Sequence, residues 1–197
     1  MNRNATLDRL LERFALLGGR HYGEDVTQRA HMEQSAYVAA KDGAPDALIA
    51  AALLHDYGHF LQRRGEDAAD HGIDTRHEVI GANYLARYFP ESVAGPIRLH
   101  VNAKRYLCAV KPDYHDSLSA ASRQSLVLQG GIMTAGECAA FLKERFAEDA
   151  IRLRWYDEEA KRPGLAVPAA ESYRPMLLAL MAQRGQRKRP EKRRASA

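Results

Sequence analysis

Four histidines recur at nearly even intervals along this chain. His31 and His55 are 24 residues apart, His55 and His77 are 22 apart, and His77 and His100 are 23 apart. A helix, a short loop and a returning helix occupy about that length, because helices average about 11 to 12 residues and loops about 4 to 6. The spacing therefore predicts that these imidazoles return to one level of a helical bundle.

Two aspartates complete the pattern. Asp56 follows His55 at the end of the apolar run from Ala47 to Leu54, and Asp157 lies on a late helical segment. Adjacent helical residues project about 100° apart, so the Asp56 carboxylate can bridge two metal ions while His55 binds one. Imidazole and carboxylate groups suit several transition metals. The predicted ligands of this dinuclear metal site are His31, His55, Asp56, His77, His100 and Asp157.

Burial supports this interpretation. Each candidate histidine lies on an otherwise apolar helical face, where an imidazole without a partner is costly to bury and metal coordination removes that cost. A single histidine of this kind is more often an ordinary core or surface residue. His59 stands one turn after His55 and is expected to face the same cavity. Three further histidines lie in polar, loop-like sequence and are left out of the site: His21, His71 and His115.

Two cations share a helical face with predicted ligands. Lys104 is four residues after His100, and Arg154 is three residues before Asp157. Both side chains could therefore hold an anion beside the metal ions. For either residue alone, a surface charge on an amphipathic helix is an equally good interpretation.

The elements that must position these residues are predicted to be helices. The apolar residues of the first segment, from Leu7 to Leu17, recur at helical spacing, and the same period returns in nearly every later segment. Thr27 is a predicted N-cap, and Thr75 and Thr134 begin predicted capping boxes. The chain is thus expected to be all-α, a compact multi-helix bundle. The predicted helices span about 7–17, 27–41, 46–56, 76–89, 91–109, 119–129, 147–161 and 173–184, with another beginning near 135.

Length and charge suggest one domain with a basic tail. The chain has 197 residues, which is enough for one sizeable core, and the expected domain covers residues 1–183. Its net charge is +4, but residues 184–197 hold seven of the 29 Lys and Arg and one of the 25 Asp and Glu. The rest therefore carries 22 minus 24, or −2. The tail is predicted to be disordered, with no specific nucleic-acid partner.

The sequence also bears on location and redox state. The longest run without a polar residue is Ala47 to Leu54, far short of the roughly 18 residues that a transmembrane helix needs. The first residues form an amphipathic pattern instead of a signal peptide, so the protein is expected in the cytoplasm. Cys108 and Cys138 lie among apolar residues, which favours reduced thiols over a disulfide.

These residues resemble the HD-domain superfamily. His31, the His55–Asp56 doublet and Asp157 match its H…HD…D pattern, and His77 and His100 match the two extra histidines of dinuclear members. A more specific resemblance, over roughly residues 20 to 160, is to the phosphonate-degrading HD-domain oxygenases, which are mixed-valent diiron enzymes. It is carried by the segments Tyr22–Glu24, His31–Ser35, His55–His59, His100–Leu107, Leu118–Ser122, Leu128–Gly131 and Arg154–Asp157.

The resemblance implies an activity and a role for each site residue. The six predicted ligands would bind two iron ions in a mixed-valent Fe(II)/Fe(III) state, with O2 as co-substrate. A 1-hydroxyphosphonate would be cleaved at its carbon–phosphorus bond to inorganic phosphate and a carboxylate. Tyr22 and Glu24 resemble a mobile catalytic lid that also binds substrate, although one residue between them is closer than the family spacing. The residues implied to hold the phosphonate are His59, Lys104, Ser122 and Arg154.

Other functions stay open at this stage. The same two metal ions would serve a metal-dependent phosphohydrolase, by activating a water molecule and polarising a phosphoryl group. A helical scaffold or nucleic-acid binder is a non-enzymatic alternative. Within the oxygenase interpretation, Glu24 would attract a primary amine or a trimethylammonium group at the far end of the substrate, giving glycine or glycine betaine, and the primary amine is favoured. Oligomeric state is left open.

Overall fold

The chain is described by a computed structural model that covers residues 2–21, 24–62 and 71–187, with side chains described to residue 184. Within those ranges the regular structure is helical and contains no strand, which confirms the predicted all-α class. Two short 3-10 helices, Tyr57–Leu61 and Ala170–Tyr173, accompany the α-helices. The α-helices are α1 (Arg3–Leu17), α2 (Gln28–Lys41), α3 (Asp46–Leu54), α4 (His77–Leu85), α5 (Glu91–Val110), α6 (Pro112–Ser117), α7 (Ala120–Leu128), α8 (Ala135–Phe141), α9 (Ala147–Glu159) and α10 (Arg174–Arg187).

The central helices are those that carry the predicted ligands. The long helix α5 packs along α9 and α4, while α2 packs on α3 and α9. Small residues allow these close approaches: Ala36 and Ala39 on α2 and Ala50 to Ala52 on α3 are fully buried. The apolar face of α1 was predicted correctly, because Leu7, Leu10, Leu11 and Phe14 are buried in the main core. Five helices, α2, α3, α4, α5 and α9, therefore surround the predicted site.

Helix capping agrees with the sequence at two of three positions. Thr27 Oγ1 accepts a hydrogen bond from Ala30 N, and Thr134 and Glu137 form the predicted capping box. The capping box predicted at Thr75 is wrong: α4 is preceded by Arg76, whose φ of 47° is left-handed, without a side-chain cap. Asp74 Oδ1 accepts from Arg76 N at 3.0 Å. This local turn replaces the cap, because a short carboxylate readily binds the amide two residues on.

Several boundaries also differ. Pro90 was expected to end the helix that begins near residue 76, but α4 ends at Leu85 and Pro90 is the N-cap of α5. Proline suits a helix start for two reasons: its φ is fixed near the helical value, and the backbone N–H that it lacks would have no partner within the helix there. The last helix runs to Arg187, past its predicted end. Residues 188–197 lie outside the described residues, so the disordered tail and the domain boundary at 183 stay predictions.

Two further predictions concern the cysteines and the membrane. Cys108 and Cys138 are both free thiols, as expected, although Cys138 is only half-buried. Within the described ranges, no helix combines the length and the apolar character needed to cross a membrane.

Candidate active site

The four evenly spaced histidines meet at one level of the bundle, in two pairs. His31 Nε2, on α2, lies 3.1 Å from His55 Nε2, which follows α3. His77 Nε2, at the start of α4, lies 3.2 Å from His100 Nε2 in the middle of α5. Asp56 stands between the pairs: its Oδ2 is 3.4 Å from His55 Nε2 and its Oδ1 is 3.2 Å from His77 Nε2. One carboxylate therefore faces both pairs with different oxygens.

Asp157 joins the first pair from α9. Its Oδ1 lies 3.3 Å from His31 Nε2, and its Oδ2 lies 3.9 Å from His55 Nε2. Ligand atoms of these three buried residues all lie within 4.8 Å of one another, close enough to share one ion. The structure thus brings all six predicted ligands together, with Asp56 at the centre.

Backbone carbonyls fix the orientation of three of these imidazoles. The Nδ1 atoms of His31, His55 and His100 lie 3.0, 2.9 and 2.7 Å from the carbonyl oxygens of Ala160, Ala52 and Ile97. A carbonyl only accepts, so each Nδ1 carries a proton and donates it. When metal coordination takes the place of the second ring proton, each Nε2 directs a lone pair into the site, as in metal-binding histidines. Without a proton or a metal ion between them, the facing lone pairs would repel each other.

The charges of the site also favour a cation. Burial opposes protonation of His55, but the carboxylates of Asp56 and Asp157 overcome it and raise the pKa of this imidazole to about 9. Burial likewise opposes ionisation of Asp56, yet the neighbouring His55 holds its pKa well below the usual range. Two ionised carboxylates, of buried Asp157 and of partly exposed Asp56, thus stabilise positive charge where the histidines converge. The donor set fits a pair of transition-metal ions.

His77 is oriented differently from the other three histidines. Its Nδ1 is buried without a hydrogen-bond partner among the described residues, and so is Glu78 Oε2, 3.7 Å away. The ring stacks instead on His59, with centroids 4.2 Å apart and planes 16° apart. Burial, with a smaller effect of the neighbouring His77, lowers the pKa of His59 to about 3. His59 is therefore a neutral imidazole, and Asp56, His59 and His77 form a second group spaced for a metal ion.

A close backbone contact sets the distance between Asp56 and His77. A Cβ atom at Gly58 would lie 1.9 Å from the carbonyl oxygen of His77, and one at Gly81 would lie 2.9 Å from Gly58 N. The turn after the His55–Asp56 doublet therefore packs backbone to backbone on α4. Glycine is required at position 58 because any side chain would push the start of α4, and His77 with it, away from the site.

One neighbour of the metal ligands was not foreseen from the sequence. Gln28 Nε2 donates a hydrogen bond of 2.6 Å to Asp56 Oδ2. Gln28 is buried and lies three residues before His31, so the two side chains share a face of α2. That spacing is the one signal in the sequence that could have identified it.

The implied phosphonate residues line a cavity of about 170 Å3 beside the predicted metal ligands. Lys104 is 3% exposed and its Nζ donates to Ser125 Oγ at 2.8 Å. Burial, reinforced by the charge of Arg154, lowers the pKa of Lys104 to about 7. Ser122 Oγ lies 3.4 Å from Arg154 Nη2. Cationic and hydroxyl donors thus converge on one end of the cavity.

Arg154 is held firmly in that wall. Its Nε donates to Tyr114 Oη at 2.7 Å, and its guanidinium also contacts the carboxylates of Asp157 and Glu158. Burial opposes the charge of Arg154, but Asp157 outweighs it and raises the pKa of the guanidinium. Arg154 therefore stays charged at every pH of interest and links Ser122, in the cavity wall, to the predicted ligand Asp157.

Glu24 lines the same cavity, while Tyr22 lies outside the described residues. Glu24 Oε1 accepts from Ser119 Oγ at 2.7 Å and lies 3.0 Å from Lys161 Nζ. Lys161 was not identified from the sequence, although it lies four residues after Asp157, the spacing that pointed to Lys104. His21, which was left out as a loop residue, also lines the cavity.

The segment after α9 is fastened to α2. Gln34 Nε2 donates to the Arg162 carbonyl at 2.8 Å, and Gln34 Oε1 accepts from Arg162 N at 3.0 Å. The carbonyl of Ala160 accepts from His31 Nδ1. These three bonds hold the chain on both sides of Lys161, so the position of its backbone is tied to that of the predicted ligand His31.

Comparison with known proteins gives one family and three relatives. The HD domain family matches residues 19–127. The chain is 43% identical over 157 residues to a [1-hydroxy-2-(trimethylamino)ethyl]phosphonate dioxygenase (glycine-betaine-forming) of Leisingera caerulea, covering 80% of both chains. It is 46% identical over 158 residues to a hydroxymethylphosphonate dioxygenase of Gimesia maris, covering 79% of this chain and 78% of that one. An uncharacterized protein of Acanthamoeba polyphaga mimivirus is 32% identical over 180 residues, which are 90% of this chain and 81% of that one.

Proposed function

Because this chain belongs to the HD-domain family, as its motifs predicted, we propose that it is a diiron dioxygenase of 1-hydroxyphosphonates. It would use O2 to cleave the carbon–phosphorus bond, giving inorganic phosphate and a carboxylate. One observation carries the proposal: the same cavity is lined by residues spaced to bind two metal ions and by the cationic residues Lys104 and Arg154. The substrate type is 2-amino-1-hydroxyethylphosphonate, with its amine free or trimethylated, giving glycine or glycine betaine.

The six ligands divide between two ions in this proposal. His31, His55 and Asp157 would hold one iron, and His77 and His100 the other. Asp56 would bridge the two, because its oxygens face different histidine pairs. Iron and its mixed valence are part of the proposal, since the same donors accept other divalent metals.

The iron pair, when bound, supplies Lewis acidity and redox capacity toward O2, while the protein supplies binding and orientation. Lys104, Ser122 and Arg154 bind the phosphonate through charge-assisted hydrogen bonds. Arg154 needs little reorganisation to do so, because Tyr114 and two carboxylates already fix its plane. The phosphonate end of the substrate would therefore lie beside the proposed ligand Asp157.

His59 would act as a neutral hydrogen-bond donor to the substrate. Its low pKa keeps the ring uncharged, and its stacking on His77 fixes the plane of the ring at the edge of the site. Tyr22 and Glu24 would form the catalytic lid that the resemblance implies. Glu24 supports that role by its place in the cavity wall, and Tyr22 is proposed from the resemblance alone.

A metal-dependent phosphohydrolase is the less favoured alternative, because two relatives of this chain are hydroxyphosphonate dioxygenases by name. The two activities differ in the atoms they need. A hydrolase adds water and leaves the carbon skeleton at its oxidation level, whereas the oxygenase converts the hydroxylated carbon to a carboxylate. Phosphorus NMR and mass spectrometry of the products from 2-amino-1-hydroxyethylphosphonate test the proposal. Phosphate with glycine supports it, and phosphate with an unoxidised amino alcohol contradicts it.

A further inference from the structure

We infer that Lys161 is a specificity-determining residue, which acts as a built-in cation against Glu24 and lowers the affinity for substrates with a cationic far end. The inference rests on the proposed function. It concerns how this chain chooses among 1-hydroxyphosphonates whose far ends carry an amine, a trimethylammonium group or no charge.

The ion pair lies inside the substrate cavity. Lys161 Nζ is 3.0 Å from Glu24 Oε1, and the side chains are only 15% and 20% exposed. Both residues line the cavity that also contains the phosphonate-binding residues. An ammonium group of a substrate that approaches Glu24 therefore meets an ammonium group of the protein already in place.

Lys161 lies near two carboxylates, Glu24 and Glu158, and Glu24 is the one whose charge it neutralises. Lys161 Nζ also lies 3.2 Å from Glu158 Oε2, but Glu158 already pairs with the buried guanidinium of Arg154. Ser119 Oγ donates to Glu24 at 2.7 Å and holds the carboxylate toward Lys161. A pair with this little exposure is screened less by solvent than a surface pair.

Lys161 cannot leave this position by moving its backbone freely. Gln34 makes two hydrogen bonds to Arg162, and His31 bonds to the carbonyl of Ala160. A cationic substrate must therefore displace the side chain alone. The Nζ atom also lies 2.9 Å from Ser122 Oγ, so the side chain lies between Glu24 and a residue proposed to hold the phosphonate.

Substrates of different charge meet this arrangement differently. Hydroxymethylphosphonate has no far group, so it can occupy the anion end while the pair of Lys161 and Glu24 remains intact. A substrate with a cationic far end must replace the bond between Lys161 and Glu24 by its own bond to Glu24. It also brings its positive charge close to that of Lys161. Uncharged far ends avoid that cost, and removal of the lysine charge should benefit cationic substrates selectively.

The test is the binding of two phosphonates to the metal-loaded enzyme without oxygen, by titration calorimetry. Lys161→Gln should shift the ratio of Kd for 2-amino-1-hydroxyethylphosphonate to Kd for hydroxymethylphosphonate by about tenfold or more in favour of the amine. Lys161→Arg should keep the wild-type ratio. Lys143→Gln, which removes an exposed lysine charge on the surface, is the matched control and should also keep it.

Two results would overturn the inference. An unchanged Kd ratio in Lys161→Gln removes any selectivity role. An equal loss of affinity for both ligands makes Lys161 a simple phosphonate ligand or a structural residue. Failure of the proposed function is a separate outcome, because wild-type protein would then show no O2-dependent turnover of either compound, whatever the binding ratio.

A double-mutant cycle separates the pair from its surroundings. For the amine, Glu24→Gln and Lys161→Gln should be strongly non-additive, because each removes the partner of the other. For hydroxymethylphosphonate the two changes should be nearly additive. Additive effects for both ligands would contradict an ion pair that acts on the far end of the substrate.

Discussion

Gln28 and Asp56 are joined by a hydrogen bond of 2.6 Å from the amide nitrogen to Oδ2. The bond holds the carboxylate that faces both histidine pairs. Hydrogen bonds to metal-binding carboxylates are known to orient them and raise metal affinity. We therefore expect Gln28 to act on metal binding through Asp56.

Replacement of Gln28 tests that role. Gln28→Leu keeps the approximate size and removes the donor, so metal affinity should fall by about 10- to 100-fold. Isothermal titration with Fe(II) under nitrogen measures it. Gln28→Asn retains an amide donor on a shorter side chain that no longer reaches Asp56. This variant should therefore bind metal no better than Gln28→Leu. Wild-type affinity in Gln28→Leu, with a wild-type circular dichroism spectrum, would contradict the role.

Asp56 and His77 should differ in the number of ions they hold. Asp56→Ala removes the bridge, so both metal sites lose a ligand and occupancy should fall well below two ions per chain. His77→Ala should leave the site of His31, His55 and Asp157 filled, with about one ion per chain. Elemental analysis of protein equilibrated with excess Fe(II) measures both. Two tightly bound ions in either variant would remove that residue from the ligand set.

Gly58→Ala should damage the site without touching a ligand. The added Cβ would lie 1.9 Å from the His77 carbonyl, so α4 must shift and His77 must move away from Asp56. The expected result is loss of about one metal ion per chain and a lower melting temperature, because overpacking commonly destabilises by about 1 to 3 kcal/mol.

Gly136→Ala is the matched control for this change. A Cβ at Gly136 meets nothing within 4 Å, and its backbone does not require glycine. This variant should bind metal as the wild type does. Normal metal content in Gly58→Ala would show that the contact with α4 does not position His77.

Lys104 should make phosphonate binding sensitive to pH near neutrality. Burial and Arg154 lower its pKa to about 7 in the free enzyme, so the ammonium is present below that value and lost as the pH rises. The phosphonate needs the charged form, and binding must then take up a proton. The affinity contributed by Lys104 should therefore be complete below its pKa and fall by up to about tenfold per pH unit above it.

Lys104→Arg separates this effect from titration of the substrate itself. The arginine stays charged, so its Kd should lack the alkaline loss of affinity, while the phosphonate titrates identically with both proteins. Binding measured from about pH 6 to about pH 9 gives the comparison. Parallel pH curves for wild type and Lys104→Arg would show that Lys104 is not the titrating group.

The features that were predicted correctly from the sequence are those that follow from the periodicity of helices. His31, His55, His77 and His100 recur at the length of one helix and its return, and these helices do pack around one level. Capping residues such as Thr27 and Thr134 fixed helix starts because their hydrogen bonds are local. The all-α class followed from the same apolar period.

The remaining features depend on contacts between distant segments. Lys161 follows the end of α9, and only the packing of α2 against that segment places it beside Glu24. The cap expected from Thr75 failed because Asp74 forms a competing turn that begins α4. The position of Lys161 depends on tertiary contacts, and the start of α4 depends on small energy differences between local turns. Neither can be predicted from residue spacing alone.

The central claim is that this centre couples O2 reduction to cleavage of a carbon–phosphorus bond. The most direct measurement follows O2 uptake with an electrode and phosphate release from 2-amino-1-hydroxyethylphosphonate in the same iron-loaded sample. Hydroxymethylphosphonate serves as the second substrate. The account predicts one O2 consumed for each phosphate released, and no phosphate release under nitrogen. Phosphate release at an undiminished rate without O2 would contradict it and identify a hydrolase.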